Sequence, residues 1–178
     1  MTKDIDIRVV LTGTACTGKT SVTDELKRLG YHIIEEPARI LIEHFQENDP
    51  SKLPWNNRHI FQKEVETMCI ENHANNESGF FDRSLVDELG YRKHYGVDIP
   101  KEFYNKILEI RYDKVFFFPP WREIYKKDKV RVEDLDLAEA ISKSIYEGYG
   151  IAKYDVIVMP KISVEERVKF ILDNICGI

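Results

Sequence analysis

The stretch GTACTGKT, residues 13–20, has the residue types and spacing of a loop that binds phosphate. Gly13 and Gly18 are separated by four residues, and Lys19 and Thr20 follow Gly18 directly. Glycines let the backbone turn tightly, so that successive amide N–H groups and the positive end of a following helix can point at one anion. In such loops the lysine reaches the β- and γ-phosphates of a nucleotide, and the threonine hydroxyl ligates Mg²⁺.

The sequence on either side of the loop favours this interpretation over an ordinary strand-to-helix turn that carries Lys-Thr by accident. The preceding run IRVVLT is typical of a buried strand, and SVTDELKRLG is typical of an amphipathic helix that ends at Gly30. We therefore predict that the nucleotide is bound by nine consecutive residues: Gly13, Thr14, Ala15, Cys16, Thr17, Gly18, Lys19, Thr20 and Ser21.

A carboxylate is expected where the second strand ends. Glu36 precedes Pro37, which biases the residue before it away from helix. Ligands of open α/β sheets bind at this edge, where a carboxylate could take the proton from an acceptor hydroxyl that attacks the γ-phosphoryl group. Glu35 is the rival because only one of the two can point inward, and both could instead stabilise the dipole of the next helix. Arg39, one helical turn further on, is a candidate for binding the acceptor or a phosphate.

Asp82 and Arg83 follow the hydrophobic strand GFFD and form a second candidate pair. Asp82 is placed to hold Mg²⁺ directly or through water. Its structural alternative is a helix cap, although Ser84 could serve that need. Arg83 offers a fork of donors suited to phosphoryl oxygens, and its alternative role is a structural ion pair.

Residues 119–134 are irregular and basic in an otherwise acidic chain. The segment could be a solvated basic turn, but a phosphate site in the same domain favours a lid that closes over it. Its cations are Arg122, Lys126, Lys127, Lys129 and Arg131.

Strand and helix patterns alternate along the chain, which predicts an α/β fold with a parallel sheet and helices on both faces. Strands are expected near 7–12, 31–35, 79–82, 114–118 and 155–159. Helices are expected near 19–29, 37–47, 56–76, 84–95, 101–111, 134–149 and 163–175, with a surface loop at 46–57.

The bulk properties predict one domain, residues 1–178, in a cytoplasmic enzyme. The net charge of −5 argues against attraction to nucleic acid or an anionic membrane. No apolar stretch approaches the roughly 20 residues of a membrane span. Three scattered cysteines, Cys16, Cys69 and Cys176, lack metal spacing and suit a reducing compartment.

Motif context separates the classes of phosphate-loop protein. A guanine-specific Asn-Lys-x-Asp motif is absent, and DELG at 87–90 lies inside an expected helix rather than at a strand end. A hydrolytic ATPase usually places glutamate beside the strand-end aspartate, where this chain has Arg83. The chain is also too short for a complete AAA module with a helical lid domain. These observations favour a small-molecule kinase over a signalling GTPase or an AAA-type ATPase.

GTACTGKT, EEPAR, FQKEVETM, FFDRS and the basic segment occur in an order that resembles the deoxyribonucleoside kinase and thymidylate kinase group. The chain is also similar to compact P-loop domains of the nicotinamide riboside kinase type, often given an AAA label. The resemblance covers nearly the whole chain. It implies a three-layer P-loop NTPase fold with a five-stranded sheet of order 2-3-1-4-5, ATP with Mg²⁺, and γ-phosphate transfer to a nucleoside, a nucleotide or a related hydroxyl compound.

Carried over by residue, the resemblance makes Lys19, Glu36, Arg83 and Arg131 catalytic, with Glu36 as the base and Arg131 as the lid arginine. It makes Thr20 and Asp82 the metal ligands. It adds Gln62 to Glu36, Arg39 and Arg83 as an acceptor-binding residue, although an exposed helical glutamine is the ordinary alternative. The chain departs from both family patterns. It has Asp-Arg-Ser where the better-known deoxyribonucleoside kinases have Glu-Arg-Ser, and it has Arg83 directly after the aspartate, where the nicotinamide riboside kinase pattern has no arginine.

Aromatic residues could form a slot for a flat acceptor ring, although core packing is the alternative for each. The candidates are Trp55, Phe61, Phe81, Tyr91 and Tyr95. Two other functions stay open: a nucleotide-binding or NTPase module that acts through a protein partner, and a kinase of nucleic-acid ends, which the acidic charge disfavours. We expect no membrane partner, and a homodimer is left open.

Overall fold

In the computed structural model, which describes residues 3–15, 17–124 and 135–175, a parallel sheet separates two layers of helices. The strands are β1 (Arg8–Thr12), β2 (Ile33–Ile34), β3 (Gly79–Asp82), β4 (Lys114–Phe117) and β5 (Val156–Val158). Their order is β2-β3-β1-β4-β5, and all neighbours run parallel. The predicted α/β fold and the sheet order 2-3-1-4-5 are confirmed.

Seven helices flank the sheet in the described part of the chain. They are α1 (Lys19–Arg28), α2 (Pro37–Asn48), α3 (Arg58–Asn75), α4 (Leu85–Tyr95), α5 (Lys101–Glu109), α6 (Leu135–Ile151) and α7 (Val164–Ile175). Short 3₁₀ turns cover Pro50–Lys52 and Arg122–Ile124. Strand and helix ends fall within two residues of the predicted ones. No helix in the described ranges is long and apolar enough to span a bilayer.

Alternating residues of β1 pack into two separate cores, because side chains along a strand point to opposite faces. Val9 and Leu11 lie in one core with α1 and α7. Val10 lies in the other core, which α2, α3, α4, α5 and α6 cover. Val9, Val10 and Leu11 are fully buried, as expected for a central parallel strand with helices on both faces.

The strand register brings three chain segments to one edge of the sheet. Leu11 of β1 lies opposite Asp82 of β3, and Ile34 of β2 lies opposite Phe81. The phosphate loop after β1, Glu36 after β2 and Arg83 after β3 therefore emerge side by side. This is the edge at which the sequence places the ligand site.

The helices that follow these strands begin with recognisable caps. Pro37 occupies the first turn of α2, after Glu36 in extended conformation. Ser84 caps α4 in a capping box with Asp87: its hydroxyl accepts from the Val86 N–H, and the Asp87 carboxylate accepts from the Ser84 N–H. Ser84, and not Asp82, is therefore the cap of α4, which leaves the Asp82 carboxylate for other contacts.

Candidate active site

A cavity of about 1420 Å³ opens at the carboxyl edge of the sheet. Ligand pockets are typically roughly 300–1,000 Å³, so this one can hold a nucleotide and a second molecule. One end is lined by the phosphate loop, and the other by α2, α3 and α4. Of the predicted site residues, it brings together Thr14, Ala15, Thr17, Gly18, Lys19, Thr20, Ser21, Glu36, Arg39, Gln62 and Arg83.

The phosphate loop contains two glycines that no other residue could replace without strain. Gly13 has φ +144°, and a Cβ there would lie 2.5 Å from the Phe118 carbonyl oxygen, so this glycine packs against the chain after β4. Gly18 has φ +76° and precedes the first residue of α1. The Thr17 hydroxyl donates to the Thr14 carbonyl at 3.1 Å, which closes the loop. Cys16 lies outside the described residues.

Lys19, which lines the cavity, forms an ion pair with Asp82, which does not line it. The Lys19 ammonium donates to the Asp82 carboxylate, and the side chains are 5% and 10% exposed. The pair places the strand-end carboxylate next to the lysine that would reach the β- and γ-phosphates.

Thr20 and Asp82 have the chemistry and the position that magnesium ligands need. Both supply oxygen, the donor that Mg²⁺ prefers, and Thr20 lines the cavity while Asp82 contacts Lys19. No group of three or more acidic, histidine or cysteine side chains suited to a metal occurs among the described residues. Mg²⁺ in kinases usually binds one or two carboxylates plus substrate phosphates, so the two residues fit.

Glu36 and Arg83 pair across the ends of β2 and β3. The Arg83 Nε lies 2.8 Å from Glu36 Oε1, and Arg83 Nη1 donates to the Tyr91 hydroxyl at 2.7 Å. Burial alone would lower the pKa of Arg83, but nearby Glu36, Tyr91 and Asp87 raise it well above its ordinary value. Arg83 also adopts φ +73°, a conformation that costs a non-glycine residue energy and often marks functional sites.

The contacts of Glu35 decide between the two neighbouring glutamates. Glu35 is exposed and pairs with Lys27 on the surface of α1. Glu36 lines the cavity and has a side chain only 17% exposed. Glu36 is therefore the carboxylate that faces the site.

Asp87 forms a buried hub beneath the site that the sequence did not reveal. It accepts hydrogen bonds from the Thr12 and Tyr149 hydroxyls, the second at 2.6 Å, and from the Ser84 N–H at 2.9 Å. Burial raises the pKa of this carboxyl, while Arg83 and these hydrogen bonds oppose the increase. Asp87 therefore ties the end of β1 to α4 and α6, which fixes the start of α4 next to Arg83.

The far end of the cavity contains two buried polar atoms without a hydrogen-bond partner in the described ranges: Gln62 Oε1 and Glu88 Oε2. Gln62 is 4% exposed, so the alternative of an exposed helical glutamine is wrong. Glu88, which the sequence did not single out, is 6% exposed, and burial raises its pKa to about 8 despite Arg92. A carboxyl in this environment is largely protonated at neutral pH and can donate a hydrogen bond.

Four of the five predicted aromatic residues line the cavity: Trp55, Phe61, Tyr91 and Tyr95. Phe81 does not. It is 2% exposed, and its ring packs against Tyr112 in the core that also contains Val10. Arg39 is exposed at the rim of the cavity.

Only residues 119–124 of the predicted lid lie within the described part of the chain. Arg122 is exposed and pairs with Glu139 of α6 at 3.0 Å. Arg131, with Lys126, Lys127 and Lys129, lies outside the described residues. Trp121 and Arg167 also line this end of the cavity, and neither was singled out from the sequence.

Comparisons with known proteins agree with this architecture. A family model described as an AAA domain matches residues 8–167. No curated protein sequence matches the chain. Deoxyadenosine kinase from M. mycoides, solved with bound dATP, superposes with a TM-score of 0.64 at 18% identity, covering 96% of this chain and 100% of that one.

Two further solved structures have the same fold. NadR protein in complex with NR gives a TM-score of 0.66 at 19% identity, covering 97% of this chain and 51% of NadR. Shikimate kinase from Aquifex aeolicus gives a TM-score of 0.59 at 19% identity, covering 96% and 97%. The chain therefore spans about half the length of NadR and nearly all of the two kinases.

Proposed function

The chain belongs to the AAA domain family, and on that premise we propose that it is a P-loop kinase which transfers the γ-phosphate of ATP to a small hydroxyl compound. The acceptor class is a nucleoside, a nucleotide or a related metabolite, and the reaction depends on Mg²⁺. The observation that carries the proposal is the shared cavity, which is lined both by Lys19 of the phosphate loop and by Glu36 and Arg83.

In this reaction the residues act mainly by position and charge. The loop amides and Lys19 hold the triphosphate, and Arg83 lies where it can neutralise charge on the transferring group. The acceptor hydroxyl attacks the γ-phosphorus, its proton passes to the Glu36 carboxylate, and ADP leaves. The ion pair with Arg83 restrains the direction of the Glu36 carboxylate, so that the base is held next to the cation that would contact the transferring group.

Thr20 and Asp82 would hold Mg²⁺, which supplies charge neutralisation to the phosphates when bound. Coordination of Mg²⁺ by Asp82 would compete with its ion pair to Lys19. Lys19 is then released to the phosphates. Arg131 and the other cations of residues 119–134 would close over the transferring group and exclude water, which limits hydrolysis.

The acceptor end favours a flat molecule with hydrogen-bonding edges. Tyr91 and Tyr95 lie stacked with ring centroids 6.5 Å apart, and Phe61 lines the same wall. Gln62 Oε1 can accept a hydrogen bond from such a molecule, and protonated Glu88 can donate one. The dATP bound to deoxyadenosine kinase and the NR bound to NadR support a nucleoside-like acceptor.

ADP release from Mg-ATP, measured with and without a panel of nucleosides, nucleotides, nicotinamide riboside and shikimate, tests the proposal. The kinase function predicts ADP release that requires one class of acceptor, with one phosphorylated product formed per ADP. Acceptor-independent hydrolysis would instead identify an NTPase module and contradict the proposal. The Lys19→Ala variant is the control for contaminating activity.

A further inference from the structure

Arg167 of α7 is a buried cation in contact with the phosphate loop. Its side chain is 3% exposed, and Nη1 donates to the Thr17 carbonyl oxygen at 3.3 Å and to the Gly18 carbonyl oxygen at 3.4 Å. Its Cζ also lies 5.3 Å from the centre of the Trp121 ring. None of the carboxylates in the described ranges forms an ion pair with it, and burial lowers its pKa.

This arrangement stabilises the cation only in part. A buried charge is costly unless it is paired and fully hydrogen-bonded. The two carbonyl contacts are long, and Arg167 Nε has no hydrogen-bond partner in the described part of the chain. The charge is therefore compensated more fully when an anion occupies the neighbouring loop.

The two contacts also bear on the direction of the loop amides. In a trans peptide the C=O and the following N–H point in opposite directions. The Thr17 carbonyl shares its peptide with the Gly18 N–H, and the Gly18 carbonyl shares its peptide with the Lys19 N–H. A donor that holds both carbonyls on one side of the loop turns both N–H groups to the other side.

The guanidinium is in direct contact with the loop. A Cβ built on Gly18 would lie 2.6 Å from Arg167 Nη1 and 3.0 Å from Nη2. The φ of +76° makes any other residue at position 18 strained, and a side chain there would also displace the Arg167 guanidinium from the loop.

We propose that Arg167 is a positioning residue for the phosphate loop: it presents the Gly18 and Lys19 N–H groups to the polyphosphate chain of the donor nucleotide and adds positive charge behind them. The inference rests on the proposed function only in that the loop binds polyphosphate. It does not depend on an acceptor or on phosphoryl transfer.

Titration calorimetry with Mg-ATP and with inorganic tripolyphosphate tests this role in the full chain. Loss of a charged hydrogen-bonding group is worth about 1.5–3 kcal/mol, so we expect Arg167→Met to weaken both ligands by a similar factor, about 10- to 100-fold. Arg167→Lys, which keeps the charge without the fork, should recover part of this loss. The matched control is Lys169→Met, which removes an exposed cation from the same helix and should change neither affinity more than about twofold.

Unchanged affinity of Arg167→Met for tripolyphosphate would overturn the inference. A loss confined to Mg-ATP would also overturn it, because it would mean that Arg167 contacts the base or the ribose. Thermal unfolding without ligand shows whether each variant is folded. If Arg167→Met is not folded, the affinities of Arg167→Gln and Arg167→Lys for the same two ligands decide the question. Binding of neither ligand by the wild-type chain would contradict the proposed function, whereas equal binding by wild type and Arg167→Met contradicts this inference alone.

Discussion

Glu36 Oε1 lies 2.8 Å from Arg83 Nε, so the residues that follow two neighbouring strands form one ion pair at the wall of the cavity. Glu36 follows β2 and Arg83 follows β3, and their strands are adjacent in the sheet. The proposed proton acceptor and the proposed phosphoryl-binding cation are therefore held as a single unit. Lys19 of the phosphate loop lines the same cavity as this pair.

The Glu36→Gln variant should lower kcat by about 10²- to 10⁴-fold, because the amide cannot accept the hydroxyl proton. The affinity for Mg-ATP should change by less than about threefold, since the loop and Lys19 are untouched. Steady-state kinetics and calorimetry measure the two quantities. Glu35→Gln is the matched control and should keep wild-type turnover, because Glu35 pairs with Lys27 on the surface. A wild-type kcat in Glu36→Gln would eliminate this residue as the base.

The Lys19→Ala variant should reduce kcat/KM by at least about 10²-fold, since it removes a cation aimed at the transferring phosphate. It also leaves the buried Asp82 carboxylate without its partner, so the variant should unfold at a lower temperature. Adding Asp82→Asn should restore part of the lost stability and none of the activity. Thermal unfolding and ADP release separate the two effects. Recovery of activity in the double variant would refute a direct role for Lys19 in phosphate binding.

Glu88 should make the protein less stable as the pH rises. Its pKa is about 8 in the folded protein and near 4.5 when unfolded, so the folded state retains a proton that the unfolded state has released. Its contribution to stability is fully present below about pH 4.5 and is lost as pH rises through about 8. One such group changes the free energy of unfolding by up to about 1.4 kcal/mol per pH unit.

The Glu88→Gln variant has no carboxyl group to titrate at this position. Its free energy of unfolding should therefore decline less than that of the wild type between about pH 5 and about pH 8. Urea unfolding at several pH values measures the slopes. Exposed Glu102→Gln is the control and should keep the wild-type slope. Parallel curves for the wild type and Glu88→Gln would show that Glu88 is ionised at neutral pH and cannot donate to an acceptor.

The Arg131→Ala variant should slow phosphoryl transfer by about 10³-fold if this residue stabilises the transferring group as lid arginines do. Arg28→Ala is the control, because Arg28 is an exposed cation of α1 that pairs with Glu25 and lies outside residues 119–134. Single-turnover measurements report the transfer step directly. A loss below about tenfold would reduce Arg131 to a surface charge.

The sequence was informative where the chemistry is local. The glycine spacing, the proline after Glu36 and the serine cap at 84 specify backbone conformations within a few residues, so the loop and the helix ends were predicted closely. The sheet order came from resemblance. Choosing Glu36 over Glu35 required tertiary contacts, since both belong to the same short segment.

The residues missed or misplaced depend on packing between distant segments. Polar residues within helices ordinarily face solvent, so nothing in the local sequence marked Glu88 or Arg167 as buried. Gln62 is also buried, although a glutamine within a helix is usually expected to be exposed. Phe81 was a candidate for the aromatic slot with core packing as its alternative, and it packs in the core.

A crystal structure with a non-hydrolysable ATP analogue, Mg²⁺ and the acceptor identified by the panel tests the central claim most directly. The account predicts a triphosphate on residues 13–21, and an acceptor hydroxyl about 3 Å from the Glu36 carboxylate and in line with the γ-phosphorus. A triphosphate bound away from the loop, or an acceptor whose hydroxyl lies outside hydrogen-bond reach of Glu36, would contradict it.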